Sequence, residues 1–491
     1  MEQHQGSNES ATLNMPTTQS YPMQLFSGRS FTPMVMGIAL AIIGLGFHCK
    51  ETRAQSPEAK PFTLSAAIQY GIDHHTASLN ASEDILSSKA RIREITSIGL
   101  PQVRGSYGVT DNFIIQKVII PDGRLFNPNA PPGPLALEFQ PQYGGNANVT
   151  LSQLLFDGSY LVGLKAAQTF AQIAIKSREM THAQISENIQ KAYYGVLVGQ
   201  HREDLLEASL VRLDSALLEM KIMLQNGIIE RLDVQRVELQ RNQLLTETAK
   251  IAQLRVLALL LLKFQMGYPL GDTLLLSEQL VNIPLLTNEA IPSTYRDLES
   301  FKARPEASLL ELQIKGNDLE IKNLQAGYLP SVGLQVQRGA LAGAGQFNQV
   351  LDPGGNWFAY GSVGLGINWS LFDSFNKRYK IQQKRIEKIK NERLLFQFLQ
   401  SSKLQQEQAL MGVQNAIASL KQQVRNQDLS RDILETTRIK YREGVGSNLE
   451  VIQAEAGYRE AQAAYFNSLY EYYIAKVDYL KASGKLTGNN E

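Results

Sequence analysis

The chain has 491 residues, of which 43% are hydrophobic and 19% are charged, and its formal net charge is +1 at pH 7. This near-neutral balance gives no electrostatic reason to expect nucleic acid as a partner, because nucleic-acid binding calls for a basic surface. Cys49 is the single cysteine, so the chain can form neither an intrachain disulfide nor a cysteine-based metal cluster.

The N-terminal segment has the pattern of a secretory leader. Arg29 precedes a run over 34–47 that carries no charge. This run is too short to span a bilayer comfortably and suits the apolar part of a signal peptide. We predict that residues 1–54 are a leader and that the mature protein acts beyond the inner membrane. A lipid-anchored Cys49 is the alternative, although the residues before it lack the small side chains of a lipobox.

The next segment, 55–267, combines helices with an amphipathic strand pair. A helical pattern over 62–98 ends before Pro101, because proline lacks a donor and disfavours the α region for its predecessor. Apolar and polar residues then alternate as in two strands with one apolar face, which predicts a β-hairpin over 103–156. Pro, Gly and Asn are frequent over 121–142, which we interpret as a long exposed loop.

The hairpin ends in the motif Leu155-Phe156-Asp157-Gly158, and long helices over 159–266 follow with a break at Asn226-Gly227. An uninterrupted helix of about 65 residues would be roughly 100 Å long, far beyond the average helix of a globular protein. Its apolar residues keep the heptad spacing of a coiled coil. These residues are Leu206, Leu210, Leu213, Leu217, Met220 and Leu224.

A proline-containing stretch over 268–302 is predicted to be an irregular linker. The same order of helices and strands then repeats over 303–483. A helix ends before Pro330, a β-hairpin spans 332–371, and its connection over 339–356 is rich in glycine. The motif Leu371-Phe372-Asp373-Ser374 precedes long helices over 374–480, which are interrupted at Gly444-Val445-Gly446-Ser447, and 484–491 form a tail.

The spacing of these landmarks indicates an internal duplication. Asp157 and Asp373 are 216 residues apart, and Gly227 and Gly444 are 217 residues apart. Each half reads as helix, strand, loop, strand, long helix, break and helix, which is the signature of two structural repeats.

Four amphipathic strands in one chain cannot close a barrel, since the smallest closed barrels use about eight strands. Open edges in hydrocarbon would leave backbone groups without partners. If these strands enter a membrane, several chains must therefore share one barrel, and the long helices would continue its lumen as a helical tube.

The order of these motifs resembles the outer membrane efflux protein family of TolC-like channels. The residues that carry the resemblance occur in a doubled order over about 60–483. They are Phe62-Thr63-Leu64 at the start, Leu100-Pro101 and Leu329-Pro330, the two Leu-Phe-Asp motifs, and Gly444-Val445-Gly446-Ser447 with Leu449-Glu450-Val451.

The resemblance implies a mixed membrane α+β fold, in which a homotrimer shares a twelve-stranded β-barrel and a long α-helical coiled-coil tunnel. It implies an outer-membrane channel of a Gram-negative bacterium that serves a tripartite efflux or type I secretion system. Its partners would be outer-membrane lipid, a periplasmic adaptor and an inner-membrane transporter of the RND or ABC type. The channel would be a passive conduit without cofactor or enzymatic activity, and its cargo stays open.

The resemblance also implies roles for the helix breaks and the residues after them. Gly227 and the segment Gly444, Val445, Gly446 and Ser447 would form periplasmic tips that contact the adaptor. They also have a purely structural interpretation, because glycine commonly ends helices.

The resemblance implies that Glu450 and Gln453 occupy the positions of the family's acidic constriction. Asp233 and Arg236 lie at the equivalent places of the first repeat. Glu450 alone also suits a helix start, where the macrodipole favours an acid.

The alternative hypothesis is a coiled-coil structural or adhesion protein of the cell envelope, in which the strands merely cap the helices. A lipid-facing apolar strand face would distinguish the channel from the adhesin. His74 and His75 suggest a metal site only weakly, because neighbouring positions on a helix face different ways. No nucleophile set has supporting context, and we expect no metal site and no enzyme.

Overall fold

The computed structural model describes residues 61–125, 128–129, 132–280, 301, 304–352, 354–355, 357–484 and 486. The predicted leader over 1–54, most of the predicted linker and most of the tail lie outside these residues. The helices are α1 Leu64–His74, α2 Thr76–Ile98, α3 Gly158–Gln225, α4 Arg231–Met266, α5 Pro305–Ala326, α6 Phe347–Leu351, α7 Asn376–Arg442 and α8 Asn448–Ala482. The strands are β1 Gln102–Asp111, β2 Lys117–Ile120, β3 Leu135–Glu138, β4 Tyr143–Phe156, β5 Ser331–Ala344 and β6 Trp357–Asn368.

Four of these strands form one antiparallel sheet in the order β1-β4-β5-β6. Each repeat contributes one hairpin, and β4 joins β5 across the repeats through a long register from Tyr143↔Ala344 to Phe156↔Val332 with one irregularity near its end. Within the described chain, β1 and β6 have a neighbour on one side only, so the sheet is open at both edges.

The connections of both hairpins contain more regular structure than the sequence predicted. The stretch 121–142 was expected to be a loop, but β3 lies within it and pairs with β2 from Lys117↔Glu138 to Ile120↔Leu135. This small sheet forms because apolar residues such as Val118 and Leu137 alternate across from one another. The predicted loop over 339–356 is also shorter, since β5 continues to Ala344 and α6 follows.

The two strand-to-helix junctions differ, although the sequence predicted a direct passage at both. The first is direct: β4 ends at Phe156, and the Asp157 Oδ1 accepts a hydrogen bond from the Tyr160 amide at 3.0 Å as α3 begins. At the second, β6 ends at Asn368 and α7 begins at Asn376.

The prediction of a direct second junction was therefore wrong, and the backbone shows why. Ser374 and Phe375 adopt positive φ angles of 55° and 67°, which turn the chain between strand and helix. The Asp373 Oδ2 then accepts from the Lys377 amide at 3.1 Å, so its carboxylate caps the helix after this turn.

Different helices flank the two parts of α3, the first part near the sheet and the second part near the helix breaks. In the first part, α2 contacts α3, α3 contacts α5 and α5 contacts α7. In the second, α4 contacts α3, α3 contacts α8 and α8 contacts α7. Thus α3 is an inner helix along its whole length, and α7 is an outer one.

The main core lies where α1, α3, α4 and α8 meet. Its fully buried side chains include Ile189, Tyr193, Leu262, Tyr472 and Tyr473. A second cluster joins α3 and α4 and contains Leu206, Leu213, Leu217 and Met220 of the predicted heptad. These positions are buried because a heptad places them on the face that a partner helix covers.

The predicted histidine pair belongs to the helix ends. His75 separates α1 from α2, and its Nδ1 accepts a hydrogen bond from the Ala77 amide at 3.1 Å. His74 stacks on Tyr70 with ring centroids 4.0 Å apart. None of the helices in the described ranges has a stretch long and apolar enough to cross a bilayer.

Candidate functional site

The sheet has one apolar and one polar face, because side chains of paired residues share a face and alternate along each strand. Cross-strand rows such as Val103↔Leu151↔Val336↔Val363 make up the apolar face. Rows such as Arg104↔Thr150↔Gln337↔Ser362 make up the polar face. Among the described residues, many apolar side chains of this face are left exposed; Val363 is 73% exposed and Ile367 is 65% exposed.

Hydrogen bonds connect the polar face across all four strands. The Ser106 hydroxyl donates to the Asn148 Oδ1 at 2.9 Å. The Gln337 Nε2 donates to the Tyr360 hydroxyl at 3.2 Å, and this hydroxyl donates to the Asn146 Oδ1 at 3.3 Å. The polar face can therefore line a water-filled path, while the other face suits hydrocarbon.

Two tryptophans flank the apolar face and are the two tryptophans of the sequence. Trp357 begins β6, and its Nε1 donates to the Asp352 carbonyl at 3.0 Å. Trp369 follows the other end of β6, and its Nε1 donates to the Tyr328 carbonyl at 3.0 Å. Tryptophans placed in this way are typical of the aromatic girdles of membrane β-barrels.

The far ends of the long helices form two equivalent turns. Gly227 and Gly444 both have positive φ, at 71° and 77°. In each turn the next residue's amide reaches back to a helix carbonyl: Ile228 donates to Met223 at 2.9 Å, and Val445 donates to Lys440 at 3.0 Å. Both turns are therefore Schellman-type caps, in which glycine is favoured at the left-handed position.

Each turn presents an exposed apolar side chain at its end. Ile228 is 68% exposed and Val445 is 78% exposed. The predicted tip residues thus lie at the ends of the two helix pairs, with Gly446 behind the turn and Ser447 as the N-cap of α8. Their contact with an adaptor stays a prediction.

The predicted constriction residues divide into two groups. Glu450 and Gln453 are exposed in the first turns of α8, where residues three apart share a helix face. Ser447 caps this helix, and its Oγ accepts from the Glu450 amide at 3.3 Å.

Of the other two predicted residues, Asp233 contacts the second repeat, and Arg236 lies beside Asp233 on the same helix. Asn448 of α8 is buried, and its Nδ2 donates to the Asp233 Oδ1 at 2.9 Å. Arg236 lies 3.8 Å from the same carboxylate oxygen. A second hydrogen bond between the repeats lies one turn further along α8, where the Gln240 Nε2 donates to the Ile452 carbonyl at 3.2 Å.

Tyr441 of α7 belongs to the same region. Its burial raises the pKa of the phenol, and the nearby charges of Asp233 and Glu219 raise it further. The tyrosine therefore stays neutral near pH 7 and adds no charge to the tip.

Sequence reasoning did not identify Asn448 or Gln240 as contacts between the repeats. Asn448 directly follows the N-cap serine, where a polar residue is unremarkable, and nothing in its spacing points to α4. In the part of the chain that the structure describes, no group of histidine, cysteine, aspartate and glutamate side chains is arranged to hold a metal ion.

Comparison with known proteins agrees with this geometry. The sequence model of the outer membrane efflux protein family matches residues 305–485. No curated protein matches the chain. Among solved structures, the CmeC outer membrane channel of Campylobacter jejuni is 15% identical, with a TM-score of 0.68 over 87% of this chain and 87% of that chain.

Two further structures are similar over comparable lengths. The open state of the MtrE outer membrane channel of Neisseria gonorrhoeae is 16% identical and has a TM-score of 0.67 over 86% of this chain and 89% of that chain. The outer membrane protein VceC of Vibrio cholerae is 15% identical and has a TM-score of 0.63 over 86% of this chain and 96% of that chain.

The chain therefore has the fold of the outer membrane channels, with long helices that continue a four-stranded sheet. Together with the match over residues 305–485, this fold confirms the predicted resemblance to the outer membrane efflux protein family.

Proposed function

We propose that three copies of this chain form an outer-membrane channel that conducts solutes passively from the periplasm to the cell exterior. The open sheet is the observation that carries this proposal. An edge strand in hydrocarbon leaves backbone groups unpaired at several kcal/mol each. Pairing β1 of one copy with β6 of the next would remove both edges, and three copies would supply twelve strands.

The dimensions of the apolar face support a membrane-spanning barrel. Trp357 and Trp369 are separated by twelve residues, or about 40 Å of strand at 3.4 Å per residue. A strand tilt of roughly 40° reduces this distance to about 30 Å across the membrane, which fits aromatic girdles around a 25 Å apolar band.

The outer helices support the assembly as well. Along α4 and α7, large apolar side chains are exposed in the single chain, as expected for surfaces that a neighbouring copy covers. The 68 residues of α3 give a length of about 100 Å. The helices would thus extend the barrel as a tunnel through the periplasm of a Gram-negative cell.

The tips supply the proposed contacts and the gate. Exposed Ile228 and Val445 would contact the hairpin of a periplasmic adaptor, which connects the channel to an energised inner-membrane transporter of the RND or ABC type. Glu450 and Gln453 of three copies would surround the narrow end of the tunnel. The bond between Asp233 and Asn448 would hold the two helix pairs of each copy together there.

The competing function is a coiled-coil structural or adhesion protein. The channel is favoured because the sheet separates an apolar face from a hydrogen-bonded polar face, whereas an adhesin has no need for a lipid-facing surface. The channel itself would carry out no reaction, since its role is to provide a continuous path filled with water.

The proposal can be tested with the full-length protein expressed in a Gram-negative host. We expect it in the outer-membrane fraction, as a detergent-stable trimer whose gel migration changes on heating. In planar bilayers the purified trimer should produce discrete single-channel steps. A monomer that partitions with soluble proteins and gives no conductance would exclude the channel and favour the adhesin.

A further inference from the structure

The apolar face of the sheet carries one charged residue that the proposed channel does not explain. Arg338 of β5 is paired with Val149 of β4 and Gly361 of β6, without a register irregularity nearby. It therefore shares its face with Val336 and Val363, which lie one row away toward the helices. If the sheet spans a membrane as proposed above, Arg338 faces lipid.

Its level along the strand places it in the outer half of the bilayer. Gly361, its partner in β6, is four residues from Trp357 and eight residues from Trp369. These separations are about 14 Å and about 27 Å of strand. An arginine on the lipid face is unfavourable at this depth and becomes tolerable close to the interface, so the guanidinium requires an anionic partner or access to the headgroups.

The sheet cannot supply that partner. The four strands contain three charged residues, Arg104, Asp111 and Arg338, and Asp111 lies at the outer end of β1, away from the Arg338 row. Neighbouring copies in a trimer bring the same strands and hence no other carboxylate. Among the described residues, the Arg338 side chain makes no hydrogen bond or ion pair.

The side chains on the surface outward of Arg338 are mostly small. The next row consists of Ala147, Ala340 and Ala359, with Tyr107 of β1 at its end. The Tyr107 ring stacks with Trp357 at a centroid distance of 6.2 Å, so the three alanines form the open part of the row. Beyond it, the ring of Trp357 lies against Gly145, where an added Cβ would come within 2.9 Å of the indole. A long arginine side chain can extend across such a surface toward the headgroup level while its stem stays in apolar contact.

We propose that Arg338 binds the phosphate of an anionic lipid in the outer leaflet, whose acyl chain lies over the three alanines. Guanidinium and phosphate match in charge and can form two parallel hydrogen bonds. The small side chains of the three alanines leave room for the acyl chain, and Trp357 borders this space on the outer side. Each protomer of the trimer would carry one such site.

The two tryptophans allow a direct test with full-length protein in vesicles. Trp369→Phe leaves Trp357 as the reporter beside the site, and Trp357→Phe leaves Trp369 as the reporter at the opposite girdle. The vesicles contain equal amounts of phosphatidylcholine and phosphatidic acid, with bromine on the acyl chains of one lipid or the other. Fluorescence quenching then measures which lipid lies beside each tryptophan.

We expect phosphatidic acid to be enriched beside Trp357 by about fivefold, as for the attraction of one arginine to an anionic membrane surface. Arg338→Gln should abolish this enrichment, and because it removes a charge from the lipid face the variant should still insert. Arg104→Gln is the matched control, since it makes the same change on the polar face and should leave the enrichment intact. Trp369 should show no preference.

Three other results would overturn the inference: equal quenching of Trp357 by both lipids, enrichment that survives Arg338→Gln, or equal loss in Arg104→Gln. In each case the channel could still stand, because both tryptophans would be quenched by brominated lipid. If brominated lipid quenches neither tryptophan, the sheet does not contact a bilayer and the proposed channel fails as well.

Discussion

The two long helices α3 and α7 occupy equivalent places in the two repeats but differ sharply in burial. They contain 68 and 67 residues. In the single chain, 21 residues of α3 are buried, against six of α7. The reason is their position: α3 has helices on both sides along its length, whereas the main helix contacts of α7 among the described residues are with α5 and α8.

This difference shows that duplication of the sequence did not produce two equivalent surfaces. The first repeat supplies the centre of the protomer, and the second supplies one of its sides. Large apolar residues exposed on α7 are therefore candidates for contact with a neighbouring copy. They include Ile386, Ile389, Leu394, Phe396, Leu404, Met411, Leu429, Ile433 and Ile439.

Charges on this exposed side of α7 should have the largest effect. Leu404 and Leu429 are 25 residues apart, which is close to seven full turns, so they share a face that lies roughly opposite the buried Val413 and Leu420. Each leucine contributes about 1.5–3 kcal/mol when it is buried in an interface. We expect Leu404→Asp with Leu429→Asp to reduce the trimer to less than about a tenth of the protein, measured by light scattering in detergent.

A control on the same helix separates the interface from a general effect of charge. Gln414 and Lys421 lie about a quarter turn away from the leucine stripe, and Gln414 is exposed. Gln414→Asp with Lys421→Asp adds at least as much negative charge and should leave the trimer intact. An intact trimer in the leucine variant would show that α7 is not an interface.

The tips offer a second comparison between the repeats. Asp233 of the first repeat is engaged by Asn448, whereas Glu450 and Gln453 of the second repeat are exposed. If these two residues surround the constriction, Glu450→Ala with Gln453→Ala should raise the single-channel conductance roughly twofold, because a wider and less charged passage replaces them. Planar-bilayer recording measures this change.

Asn448→Ala provides the matched comparison at the same tip. Its side chain is buried against α4, so its loss should loosen the contact with Asp233 and lengthen the openings without changing their size. Unchanged conductance in the Glu450 and Gln453 variant would remove these residues from the constriction. An equal rise in both variants would mean that general loosening of the tip is the cause.

Much of the fold could be predicted because its signals are local. A proline ends a helix through its own ring, a glycine permits positive φ at Gly227 and Gly444, and alternation along β6 assigns its faces. The duplicated order of such signals was enough to identify the long helices and the sheet.

The failures have a common physical origin in contacts between distant segments. The bond between Asn448 and Asp233 depends on how α8 lies against α4, which no spacing within either helix encodes. The turn at Ser374 and Phe375 uses left-handed conformations that non-glycine residues seldom adopt, so no sequence signal predicted it. The row position of Arg338 likewise emerged only from the register of three strands.

A smaller effect, on the pH dependence of the unfolding temperature, should distinguish ion pairs on α3 from those on α7. Glu187 of α3 is nearly buried and bonds to Lys191 at 2.8 Å and to Lys481 of α8 at 2.7 Å. Burial alone would raise the pKa of this carboxyl, but the two lysines outweigh it and the pKa is lowered from its ordinary value of 4.5. Because the folded pKa is depressed, this stabilisation is present above the unfolded pKa and is lost as the pH falls through the folded one.

Glu187→Gln should therefore lower the unfolding temperature of the trimer by about 2–5 °C at pH 7, and the difference from wild type should shrink below pH 4.5. On α7, Glu392 lies 3.8 Å from Lys388 and is half exposed, so Glu392→Gln should change the unfolding temperature little at either pH. Thermal scans by circular dichroism compare the three proteins. Equal shifts in both variants would mean that the inner and outer helices do not differ in how they hold their charges, whereas a shift confined to Glu187→Gln places the stabilising ion pairs on the inner helix.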